Sequence, residues 1–63
     1  MNRAEIMLVI HNKSKKDGLF KRLYDNLLDL KDIDLKSYNL LMQTYESMNF
    51  KSPEELICYF SNP

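Results

Sequence analysis

Most of what could anchor a specific chemistry is missing from this chain. Its 63 residues contain one cysteine, one histidine, one glycine, two prolines and no tryptophan. A single cysteine excludes an internal disulfide. One histidine with one cysteine cannot make a structural zinc site. No triad of histidine, acid and nucleophile stands out, because Ser14, Ser37, Thr44, Ser47, Ser52 and Ser61 share only His11 as a base. The longest uninterrupted apolar run is Ile6–Ile10, too short to span a bilayer or to serve as a secretory leader. Cys58 is not fourth from the end, so the C-terminus does not match a prenylation signal. A cytoplasmic protein with a free thiol is the expectation, without enzymatic activity, cofactor or metal.

What is present is a helical pattern. Leu19, Phe20, Leu23, Tyr24, Leu27, Leu28 and Leu30 recur at spacings of three and four, and so do Leu35, Tyr38, Leu41, Met42, Tyr45 and Met48. The expected fold is all-α: one domain over residues 1–63, a small bundle of three to four short helices around an antiparallel helical hairpin (19–31 and 34–49). Asp32-Ile33-Asp34 is the tight link, with Asp34 as N-cap of the second arm. The rest of the chain reads as short caps on that hairpin. Asn2 with Glu5 three residues on suggests a capping box for an N-terminal helix, with Ala4, Met7, Leu8 and His11 on one face and Ile6, Val9 and Ile10 beside it. The β-branched run within Ile6–Ile10 also suits a buried strand, which would need a second chain to pair with. The cap favours the helix. Asn12–Gly18 is a polar, basic break, and the next helix starts between residues 14 and 18, on Ser14 or Asp17. Ser52-Pro53-Glu54-Glu55 is a strong start signal for a last short helix carrying Leu56, Ile57 and Phe60: a serine cap, proline in the first turn and acids near the positive end of the dipole. Cys58, on that helix, reads as a small buried hydrophobe.

Function is less legible. A chain this short buries only about 60 % of its unfolded surface. With disulfide and zinc excluded, self-association or a partner is the remaining staple, so a homodimer is expected. Tyrosine and methionine suit interfaces, which makes Tyr38, Leu40, Met42 and Tyr45 the candidate protein-binding residues. The expected role is to bind and modulate a larger protein, by inhibition. Richness in Lys, Asn, Leu, Ile and Tyr suits an AT-rich bacterial, phage or plasmid gene.

Net charge is zero but unevenly spread along the chain. Residues 1–22 carry a net +4 and residues 23–63 a net −4. Lys13, Lys15, Lys16, Lys21 and Arg22 form the alternative site, a nucleic-acid contact. Against it stand the zero overall charge and the absence of aromatics interleaved with the basic residues. A helix-turn-helix over residues 40–60 would present Glu54 and Glu55 to phosphates, the wrong sign. Asp25, Asp29, Asp32 and Asp34 lack the glycine and closing glutamate of a calcium loop.

Residues 38–60 also contain Tyr38, Leu41-Met42, Asn49 and Ser52-Pro53-Glu54-Glu55-Leu56. This order resembles the helical hook of Sin-type anti-repressors and their repressor partners: an aromatic residue, Leu-Met, an Asn-containing turn and a Ser-Pro-Glu-Glu helix. The chain departs from that pattern with tyrosine where the family favours tryptophan and with one extra turn residue. The resemblance implies a dimerising, anti-repressor-like module.

Overall fold

The structure is a computed structural model that describes residues 1–62. It is all-helical: α1 (Arg3–Ser14), α2 (Gly18–Ile33), α3 (Leu35–Ser47) and α4 (Pro53–Ser61). Every helix starts where a side chain accepts hydrogen bonds from free backbone N–H groups. The Glu5 N–H donates to the Asn2 side chain at 2.9 Å, and the Asn2 N–H returns a bond to Glu5 Oε1 at 3.2 Å. Leu19 and Phe20 donate to Asp17 Oδ1, so Asp17 rather than Ser14 opens α2. Ser14 is occupied elsewhere, its hydroxyl donating to the His11 carbonyl. Ser37 donates twice to Asp34, and Glu55 donates to Ser52 Oγ. With residues 6–10 inside α1, the strand reading is not realised.

The hairpin is α2 and α3, joined by Asp34 alone, which closes one helix and caps the next. Ile33 therefore belongs to α2 rather than to the link. Helix α3 ends two residues early, at Ser47, because Asn49 takes a left-handed backbone (φ 61°) and its N–H donates to the Glu46 carbonyl. Asparagine is among the few residues that tolerate this conformation. The turn it makes drives Phe50 inward, where it is buried.

The core is Ile6, Ile10, Phe20, Leu27, Tyr38, Met42, Phe50 and Leu56, with contributions from all four helices. Helix α1 has a larger part than a cap. It is the one helix whose backbone approaches each of the other three, while α4 approaches α1 and neither arm of the hairpin. The face α1 turns inward is Ile6 and Ile10, not the predicted Ala4-Met7-Leu8-His11 face, and Leu8 is left 57 % exposed. Both stripes fit the helical period, since α1 is apolar around most of its circumference. The choice falls to whichever neighbours fit. The β-branched isoleucines are fully buried on the one helix that the other three all approach. Leu19, Leu28, Leu35 and Met48, placed by their spacing on apolar faces, also end at the surface. The accessible surface, 4514 Å², is close to the roughly 4200 Å² typical of a 7.5 kDa folded chain, so the monomer closes a core of its own.

Candidate functional site

Tyr38, Leu40, Met42 and Tyr45 do not share a surface. Tyr38 (4 % exposed) and Met42 (0 %) are core residues. The Tyr38 ring lies beneath two cations, Arg3 at 6.0 Å and Lys31 at 5.7 Å from its centroid. Arg3 also reaches Glu46 Oε1 at 3.1 Å and Asn39 Oδ1 at 2.7 Å, tying the start of α1 to two successive stretches of α3. As placed, Tyr38 and Met42 offer nothing to a partner, and the expectation that they form a contact surface is corrected. Their register on α3 is the same for a core or an interface. Only the position of α1 over them decides. Tyr45 is half-buried, edge-on to Phe60 at 5.1 Å, and burial with the nearby Tyr59 raises its hydroxyl pKa above 10.0. Leu40 is 67 % exposed on the far side of α3 and is the one residue of the four that stands free.

The basic segment is gathered at the α1–α2 turn but divided. Lys15 and Lys21 line an open hollow of about 430 Å³ with His11, Ser14, Tyr24 and Asp25. Lys13 and Lys16 line another, between α1 and α4, with Val9, Asn12, Pro53 and Ile57. Arg22 lines neither. In the first hollow the His11 and Tyr24 rings stack, with centroids 4.8 Å apart and planes within 13°. Those rings were missed because they lie on different helices and show no common period. Their one sequence signal is that both flank the short turn. The chain's charge asymmetry also softens in space, since Arg3 from the basic half meets Glu46 and Lys21 meets Asp25 at 3.6 Å.

Cys58 is exposed, not buried as expected. It lines an apolar hollow with Met48, Phe50, Glu55, Tyr59 and Asn62. Asp34 is fully exposed, and its hydrogen bonds from the Ser37 hydroxyl and N–H hold its carboxyl below the ordinary 3.8. Among the described residues no three carboxylate, histidine or cysteine side chains converge as a metal site would need, and no helix is long and apolar enough to cross a membrane.

No family model, curated protein or solved structure matches this chain. The likeness of residues 38–60 to the anti-repressor hook therefore rests on the residues that carry it. Within that stretch α4 packs on α1 rather than α3, and Tyr45 and Phe60 meet across the gap.

Proposed function

We propose that this chain is a small, cytoplasmic, non-enzymatic regulator that binds and inhibits a larger protein and associates with a second copy of itself. The observation that supports this reading is the apolar load left outside. Among the described residues eight large apolar side chains are exposed, as many as the eight that form the core. Ile33 is the extreme at 84 %, next to Leu35 across the α2–α3 link, and Leu40 stands on the outer side of α3. Scattered exposed apolar residues are ordinary on a folded chain, so the support comes from Ile33 and Leu35, two residues apart on either side of Asp34 and both well exposed. An anti-repressor-like inhibitor is the form of this function that the hook-like residues favour.

The test is affinity capture from the native host with wild-type chain and with an Ile33→Lys/Leu35→Lys/Leu40→Lys variant, alongside sedimentation of both. The expected result is a stoichiometric partner retained by the wild type and lost by the variant, with dimerisation at micromolar concentration. A concentration-independent monomer that retains no specific protein, or retains the same ones as the variant, refutes the proposal.

A further inference from the structure

The two sequence-level objections to a nucleic-acid contact were the lack of aromatics among the basic residues and the zero overall charge. The fold removes the first outright. It brings the stacked pair His11–Tyr24 into the same hollow as Lys15 and Lys21. It also weakens the second. The zero is a whole-chain sum, whereas Lys15 and Lys21 share one hollow with a single carboxylate, Asp25. Part of the basic segment suits the fold by itself, because Lys13 and Lys15 sit at the C-terminal end of α1, where its dipole favours cations. Lys21 lies one turn into α2, four residues after the capping Asp17, whose carboxylate already offsets the positive end of the helix. Its partner Asp25 is an exposed ion pair one turn along, of the kind that contributes little and exchanges readily with other anions.

We infer that this hollow binds single-stranded nucleic acid, with backbone phosphate on Lys15 and Lys21 and a base against the His11–Tyr24 stack. A cationic rim beside a flat ring surface is the arrangement that holds single strands without reading their sequence. An acidic peptide would use the lysines and leave the rings unexplained. The site is separate from Ile33, Leu35 and Leu40, so its test is independent of the protein-binding proposal.

The experiment is fluorescence anisotropy of a fluorescein-labelled oligothymidylate titrated with the full chain over a range of salt concentrations. Binding at low salt is expected, with an affinity that falls as salt rises. Lys15→Ala/Lys21→Ala should reduce the log–log salt slope by about 1.4, the value for two phosphate contacts on a single strand. Tyr24→Leu should weaken binding by about fivefold or more through loss of stacking, while Tyr24→Phe should retain it. If Tyr24→Leu loses its helical circular dichroism, His11→Ala gives the same reading from the other ring. Absence of binding at low salt, an unchanged slope in the lysine variant, ring variants that bind like wild type, or equal displacement by polyglutamate would each overturn the inference.

Discussion

Replacing Ile10 with valine removes one methyl group from a fully buried position on the helix that touches all the others. Such a deletion costs about 0.5–1.5 kcal/mol, and Ile10→Ala about 2–5 kcal/mol, because the cavity closes only in part. A 63-residue domain has a total stability on the order of 3–9 kcal/mol. Valine should therefore leave the chain folded but weakened, and alanine should bring it near its limit. With a urea m-value of about 1 kcal/mol/M, Ile10→Val shifts the midpoint down by about 1 M. The assay is urea denaturation followed by circular dichroism at one low protein concentration, so that self-association does not contribute. Leu8→Ala is the control within the same helix. It removes more carbon than Ile10→Val does, yet Leu8 is exposed and alanine is a good helix former, so its change should stay within about 0.5 kcal/mol. If Leu8→Ala shifts the midpoint as far as Ile10→Val, α1 is turned the other way and the description of the core is wrong.

Asn49→Val should destabilise by about 1–2 kcal/mol, because a β-branched residue resists the left-handed backbone there, whereas Asn49→Gly should be neutral or mildly stabilising; thermal melts of the two variants separate the effects. The Arg3–Glu46 pair is one-third exposed on both sides, so a double-mutant cycle with Arg3→Met and Glu46→Gln should give a coupling of about 0.5 kcal/mol that shrinks in high salt. Asp34 titrates below its unfolded value of 3.8, so the stability it adds is complete above that pH and is lost as pH falls through the lower folded value. Ser37→Ala should flatten that acid limb. Tyr45 is raised above 10.0, so its contribution is complete below pH 10.0 and is lost as pH rises through the folded value, and Tyr45→Phe should reduce the alkaline fall. Both limbs can be read from melting temperature against pH.

The sites were only partly legible. Lys15 and Lys21 were nameable from composition, but the rings beside them come from a contact between two helices that no spacing reveals. Leu40 was found because it interrupts the apolar period of α3, a signal that needs no tertiary information. Tyr38 and Met42 were misjudged for the converse reason: they obey the period, and obeying it places a side chain on the apolar face without saying what covers that face.

The sequence by itself determined that the chain is helical and marked the caps on which its helices begin, while leaving their number at three or four and the start of the second between Ser14 and Asp17. Asn2 with Glu5, Asp17, Asp34 and Ser52 with Pro53 act on N–H groups within three residues of themselves, so their work is local and survives any packing. The tertiary structure decided which stripe of α1 faces inward, that α1 joins all the other helices, that Tyr38 lies beneath Arg3 and Lys31, and that Cys58 stays outside. Those outcomes depend on the shape of the space left between helices. Burial follows apolar area with little regard to direction, so a helix apolar around most of its surface takes its orientation from its neighbours.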